Sequence, residues 1–376
     1  MKIGIVGTRG IPNQYGGFEQ FAENFSVRMA QKGHDVTVYV SHRHPYKEKE
    51  YKQVHLVHCY DPEHIMGTAG QFIYDFNCIK HSRKQKFDII LQLGYTSSTI
   101  WSWYYPKSAI IVTNMDGLEW TREKYNKVTQ HFLTHAEKWG VRYSDHLIAD
   151  SKGIQDYLQN KYNAHAVLIP YGADTYTGRS DDTAVLTAYN VSGDTYDLVI
   201  ARFEPENNIE HILKAYAAFG TQKLVLIGDH TNTLFGRRMY KEYGANPLIQ
   251  FTGAHYNTQK LNALRYHSRL YIHGHSVGGT NPSLLEAMAC NTLICAHDNQ
   301  FNKHVLEEDA FYFNDSKDIL ELISSASINK DHKNWRNNNR QKIEDCYNWE
   351  TITNNIESYF KRWKSGEQIL PVLCTV

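Results

Sequence analysis

A chain of 376 residues with 41% hydrophobic and 21% charged residues is globular in composition, and its length suggests two domains with a core each. Lys plus Arg and Asp plus Glu each number 40, so the net charge is zero, which argues against a general nucleic-acid binder. The six cysteines form no C-x-x-C pair and no regular spacing, which points to a reduced, cytoplasmic setting. Met1-Lys2 runs directly into Ile3–Val6, too short an apolar run for a signal peptide. No stretch approaches about 18 apolar residues, so no membrane span is expected.

Short β-branched runs alternate with amphipathic segments through both halves. The first half predicts strands over Lys2–Val6, Asp35–Val40, Phe87–Leu93, Ala109–Thr113, His146–Ala149 and Ala166–Ile169. After the first of them, Phe18, Phe21, Ala22, Phe25 and Met29 share one helical face, as a core-facing helix requires. The second half predicts Asp197–Ala201, Lys223–Ile227, Leu248–Thr252, Leu270–His273, Thr292–Ala296 and Ala310–Phe313. These runs are continuous rather than alternating, as in parallel strands buried on both faces. Two such arrays imply an α/β fold of two doubly wound parallel-sheet, Rossmann-like domains. The boundary is placed at Ile169–Asp174, dividing the chain into 1–172 and 173–349. Trp349, Ile352, Ile356, Tyr359, Phe360 and Trp363 then mark a last amphipathic helix, to which 350–376 is assigned.

Three loops can carry chemistry. The first βα turn runs Gly7-Thr8-Arg9-Gly10 to Gly16-Gly17-Phe18-Glu19, where glycines let backbone approach a ligand and a helix start offers free N–H groups to an anion. It is not G-x-G-x-x-G, and the second strand ends in Val40-Ser41-His42 without an acid for a ribose diol. Both points count against a nicotinamide cofactor. In the second half, Arg202 stands just past a strand end, in Arg202-Phe203-Glu204-Pro205-Glu206-Asn207. There a guanidinium can hold two phosphate oxygens, or pair with Glu204 or Glu206. The third loop is His273-Gly274-His275-Ser276-Val277-Gly278-Gly279-Thr280-Asn281-Pro282, with Pro282 suited to a first helical position. Its N–H groups form a second anion site, and Glu286 one turn on can reach a sugar or ribose hydroxyl. Together with Arg202 and the first loop, this describes a cleft for a diphosphate.

The order of these loops resembles the GT-B glycosyltransferases of family 4. Narrower strings, Gly7-Thr8-Arg9-Gly10-Ile11-Pro12, Tyr15-Gly16-Gly17-Phe18-Glu19, Asp116-Gly117-Leu118-Glu119-Trp120 and His275 to Met288, are similar to rhamnosyltransferases of bacterial cell-surface polysaccharide assembly. The resemblance spans nearly the whole chain. It implies a GT-B fold with two domains facing across a cleft, the last helix packing back on the first domain. It also implies retaining transfer from a nucleotide sugar without a metal or other cofactor. Two positions depart from the wider family: Asn207 stands where a phosphate-binding Lys is found, and Gly278 where a sugar-contacting Glu is found. The narrower subgroup shares both, which favours a deoxy sugar and dTDP-L-rhamnose as donor. Arg9 and His275 are then expected to replace the missing cation.

On this reading the donor is held by Arg9, Gly16, Gly17, Arg202, Asn207, His275, Gly278, Gly279, Thr280, Asn281 and Glu286. Catalysis falls to Asp116, Arg202 and Glu286, and the acceptor side to Glu19, Tyr95, Glu119 and Trp120. Asp116 can stabilise an oxocarbenium-like transition state or orient the acceptor, and equally can cap a helix after Gly117. His131 and His135 are four apart, but position 132 is Phe, so this is not H-E-x-x-H and no metal is expected. The aromatic run Trp101–Tyr105 and the basic runs His42–Lys52 and Lys80–Lys86 suit peripheral contact with an anionic membrane, and a lipid-linked saccharide acceptor, at its cytoplasmic face. A GT-B-type nucleotide-sugar epimerase and a non-catalytic nucleotide-sugar binding module are the alternatives.

Overall fold

The computed structural model describes residues 1–115, 117–121, 125–325 and 332–367. They form two compact units. One holds the described residues up to Tyr171 together with those from Trp349 onward, and the other is Gly172–Asn348.

The first unit is built on strands β1 (Lys2–Val6), β2 (Asp35–Ser41), β3 (Glu50–Tyr51), β4 (Val54–Cys59), β5 (Ile89–Leu93), β6 (Ile110–Asn114), β7 (His146–Ala149) and β8 (Ala166–Leu168). Their order is β3-β4-β2-β1-β5-β6-β7-β8, with every pair parallel except β3–β4. Ile3 sits opposite Val36 on one side and Ile89 on the other, so β1 is central and its apolar residues are fully covered. Strands β3 and β4 are additions to the predicted set. In β4, Val54, Leu56 and Cys59 are buried, His55 is exposed and Val57 and His58 are half-buried, and the strand follows a run of lysines that reads as solvated surface.

The helix Gly17–Gln31 covers one face with Phe21, Phe25 and Met29. Against it lies the last helix, Trp349–Ser365, through Phe25–Phe360 at 6.0 Å and Phe21–Trp349 at 5.7 Å between ring centroids. Glu357 of that helix pairs with His34 at 3.0 Å and Lys32 at 3.2 Å. Burial alone would raise its carboxyl, but hydrogen bonds from Lys361, His34 and Lys32 outweigh this and hold it at about 2.

The second unit contains β9 (Tyr196–Ile200), β10 (Lys223–Ile227), β11 (Ile249–Phe251), β12 (Leu270–His273), β13 (Ile294–His297) and β14 (Phe311–Phe313). All pairs are parallel in the order β11-β10-β9-β12-β13-β14. The winding reverses between β9 and β12. In open α/β sheets that reversal opens a crevice at the carboxyl ends of the two strands, where ligands bind. Buried Asp197 at the start of β9 receives Arg269 Nε at 2.9 Å and the Tyr216 hydroxyl, which keep that end of the strand paired. In the first unit the corresponding reversal lies between β1 and β5.

Candidate functional site

In the second unit the reversal point is built from two loops that hydrogen-bond each other. Asn208 Nδ2 donates to Gly274 O at 2.8 Å, and the Ser276 backbone N and hydroxyl donate to Glu206 O at 3.0 and 2.8 Å. Ser283 Oγ, in the helix Pro282–Ala289, donates to Ile200 O at 3.3 Å and lies 2.5 Å from the Tyr271 hydroxyl. The loop after β9 and the loop after β12 are therefore tied to each other.

Arg202 lies on the first of these loops. It is exposed, and its guanidinium makes no hydrogen bond or ion pair among the described residues, with Glu204 and Glu206 included. A solvated guanidinium at the carboxyl end of a central strand is free to receive an anion. On the facing loop Gly278 takes φ +115°, and an added Cβ would meet nothing within 4 Å. Only the backbone conformation requires glycine there; the space is open. A small pocket adjoins the turn, lined by His275, Ser276, Gly278, Gly279, Asn299 and Phe301. Asn281 caps the helix through Oδ1, which accepts from Ser283 N at 3.0 Å, and Thr280 is buried beside it.

Three side chains expected on the donor have partners within the unit. Glu286 is ion-paired with Arg265, which is 1% exposed. Burial alone would lower the Arg265 guanidinium, and the Glu286 carboxylate beside it more than restores it. Asn207 is buried and uses Nδ2 on Arg202 O at 2.7 Å, so it braces the loop that presents Arg202. His275 stacks on His273 with centroids 4.4 Å apart and planes 14° apart. His273 is fully buried, with both ring nitrogens without a hydrogen bond. Burial and the neighbouring His275, His297 and Arg265 keep it neutral well below its ordinary pKa.

Composition and spacing did not single out Asn299 and Asn302. Both donate through Nδ2 to His275 O, at 3.0 and 3.1 Å, and so hold the turn that leads to Gly278. The available signal was an Asn at a helix start just past a strand, since Asn299 also caps the helix Gln300–Leu306.

In the first unit the loop after β1 is pinned to its helix. Glu19 is buried, and Oε1 accepts from Arg9 N at 2.8 Å and Thr8 Oγ1 at 3.2 Å. It therefore shapes the loop. Gly10 has φ +126°, and a Cβ there would strike Val40 Cγ1 at 2.4 Å, so this close turn admits glycine alone. Gly16 caps the helix that Gly17 begins, without any side-chain hydrogen bond to its first turn.

Arg9, expected on the donor, has a partner within the first unit. Its guanidinium makes a two-point contact with Glu63, at 3.0 and 2.7 Å, and lies 3.8 Å from the Tyr15 ring centroid. Its charge is thus neutralised within the unit. Below it, Asp75 is buried and accepts from Ser97 Oγ at 2.6 Å; burial pushes its carboxyl up to about 6.

Asp116 lies outside the described residues. The segment after it is described over Gly117–Thr121. Tyr95, expected to face the acceptor, is 1% exposed, and its hydroxyl lies 3.2 Å from Gly117 O and 3.3 Å from Glu119 N. Trp120 turns its indole N–H to Glu137 Oε2 at 3.1 Å. Both side chains serve the segment itself, and Glu137 is a residue the sequence reading passed over.

Comparison with known proteins fits this architecture. Residues 190–342 match the family described as glycosyl transferases group 1, and residues 1–174 match a domain of unknown function, DUF1972. No curated protein matches the chain. Among solved structures, sucrose-phosphate synthase from Thermosynechococcus elongatus has a TM-score of 0.79 at 16% identity, over 97% of this chain and 100% of that one. Anabaena HepE in complex with UDP-glucose gives 0.75 at 14%, over 96% and 98%. The catalytic domain of starch synthase IV from Arabidopsis thaliana, bound to ADP and acarbose, gives 0.71 at 12%, over 97% and 99%. At these identities the likeness is one of fold, and the fold is GT-B.

Proposed function

We propose, for a GT-B glycosyltransferase whose residues 190–342 form a group 1 domain, that the reaction is retaining, metal-independent transfer of L-rhamnose. The donor on this reading is dTDP-L-rhamnose, and the acceptor a saccharide or lipid-linked saccharide of surface-polysaccharide synthesis. The observation that carries it is Arg202, an exposed guanidinium without a protein partner among the described residues, on a loop bonded to the Gly278 turn.

In the transfer the bond between sugar C1 and the diphosphate oxygen breaks, and a bond from the acceptor oxygen to C1 forms. The acceptor proton leaves with the released diphosphate. Arg202 and the N–H groups of the Gly278–Thr280 turn would meet the negative charge that grows on the leaving group, a task otherwise given to a metal. Gly16 and Gly17 are proposed to approach the donor through backbone. Asp116 is proposed to act on the reacting sugar or the acceptor hydroxyl. The open space at Gly278 supports a donor that needs no carboxylate at that position.

Calorimetric titration with dTDP-L-rhamnose, UDP-glucose and GDP-mannose tests the donor. dTDP-L-rhamnose should bind most tightly, and its turnover should survive excess EDTA. Tighter binding of UDP-glucose would end the rhamnose reading and leave the fold untouched.

A peripheral, cytoplasmic-face location belongs to the same proposal. Among the described residues no helix is long and apolar enough to cross a membrane. Trp103 is 70% exposed, and its neighbour Tyr104 lies 4.2 Å under the Arg83 guanidinium. Lys80, Lys84 and Lys86 are exposed, and the stretch from Phe76 to Phe87 contains no carboxylate. Aromatic residues beside a basic edge suit an anionic lipid surface. Vesicles rich in phosphatidylglycerol should retain the protein at low salt and release it at high salt, with Trp103→Ala weakening retention. Equal recovery with neutral vesicles, or none with either, would remove the membrane from the reading.

A further inference from the structure

We infer that Glu137 is a positioning residue for the segment Gly117–Thr121, which it holds through a cage of aromatic donors closed by Lys161. Glu137 projects from the helix Lys127–Tyr143 and is 1% exposed. Its Oε1 accepts from the Tyr157 hydroxyl at 2.8 Å, the Tyr162 hydroxyl at 2.6 Å and Lys161 Nζ at 3.0 Å. Its Oε2 accepts from Trp120 Nε1 at 3.1 Å and lies 3.5 Å from the Tyr95 hydroxyl.

Lys161 completes the enclosure. Its ammonium lies 5.1 Å from the Trp120 ring centroid, 4.9 Å from that of Tyr157 and 5.0 Å from that of Tyr162. Three ring faces and a carboxylate around an ammonium form the kind of box that binds cations, and here the chain fills it with its own lysine. Burial alone would lower the Lys161 ammonium, yet hydrogen bonding to Tyr157 and Glu137 raises it, so the cage stays charged through neutral pH.

The physical consequence is a single favoured place for the segment. A buried carboxylate is costly unless charge and hydrogen bonds satisfy it. Trp120 supplies one of those bonds from within the segment. Tyr95 reaches the segment from the carboxyl end of β5, with its hydroxyl between Gly117 O and Glu119 N. Displacing Gly117–Thr121 would strip Glu137 of a donor and Lys161 of a ring face. The segment follows β6, and Tyr95 follows β5, so both lie at the carboxyl ends of strands, the side of the sheet on which open α/β folds bind ligands. The positioning role rests on the proposed transfer reaction, in which this segment faces the acceptor.

The test uses the full chain with ¹⁵N-indole-labelled tryptophan, with Trp120→Phe to assign the Trp120 signal. Glu137→Gln should move that indole N–H resonance upfield and speed its exchange with solvent about tenfold or more. dTDP affinity, set in the other unit, should stay within about twofold. Release of dTDP from dTDP-L-rhamnose should slow about tenfold or more in kcat. Glu137→Asp keeps the charge and should recover part of both the resonance and the rate.

An unchanged Trp120 signal in Glu137→Gln overturns the inference, as does a moved signal with unchanged turnover. A Glu137→Gln protein that melts early, with no recovery in Glu137→Asp, makes Glu137 core support only and also overturns it. If the wild type releases no dTDP, the donor reading fails, and the Trp120 resonance and exchange decide the positioning of the segment.

Discussion

Replacing Arg202 by Ala should cost about 2–4 kcal/mol in kcat/KM for the nucleotide sugar, roughly 30- to 1000-fold, while the melting temperature stays where it was. The guanidinium is exposed and unpartnered among the described residues, so its removal leaves no buried group unsatisfied. Its contact with the diphosphate should strengthen as the C1–O bond breaks and charge gathers on the leaving oxygen. Part of the loss should therefore appear in dTDP affinity by calorimetry and part in kcat. Arg202→Lys keeps a charge but loses the two-point fork, and should fall between wild type and Ala. Unchanged dTDP affinity in Arg202→Ala would place the diphosphate elsewhere and remove the observation on which the function rests.

Arg265 and Glu286 should give the opposite pattern. Arg265→Met leaves the Glu286 carboxylate without its counter-ion in a mostly buried position, and removes a donor from Asn262 Oδ1 at 3.0 Å. Breaking a buried pair in this way costs about 3–5 kcal/mol. At about 2–4 °C per kcal/mol for a unit of this size, unfolding of the second unit should fall by roughly 6–20 °C. Glu286→Met should do similar damage, since it strands a buried guanidinium. The double variant, with an apolar pair in place of two charges, should be more stable than the sum of the singles predicts. Calorimetric scans of the four proteins measure this coupling directly. A Glu286→Met protein that melts normally and fails to bind dTDP would return Glu286 to the donor and make the ion pair incidental.

Most strands of both sheets were legible because a parallel strand covered on both faces must be apolar along its covered length, and Ile3–Val6, Leu224–Ile227 and Leu270–Ile272 are. Val54–Cys59 escaped because its histidines and the lysines before it hide a half-buried strand. The loops at the strand ends were legible too, since the chain can reverse tightly there only where residues such as Gly10 and Gly278 permit it. Arg202 followed from its place one step past such an end.

Which side chains meet one another was a different matter. Arg9 is neutralised by Glu63, 54 residues away, and Glu286 by Arg265, 21 residues away. Trp120 and Tyr95 converge on Glu137 from 17 and 42 residues away. Local sequence sets backbone preference and the period of burial, and those decide element and loop. A charge's partner is whatever group the tertiary fold brings within about 3 Å, and only packing determines that. The sequence by itself therefore determined two doubly wound units and the loops that can face a ligand. The tertiary structure decided that Arg202 stays open to an anion while Arg9 and Glu286 are already paired.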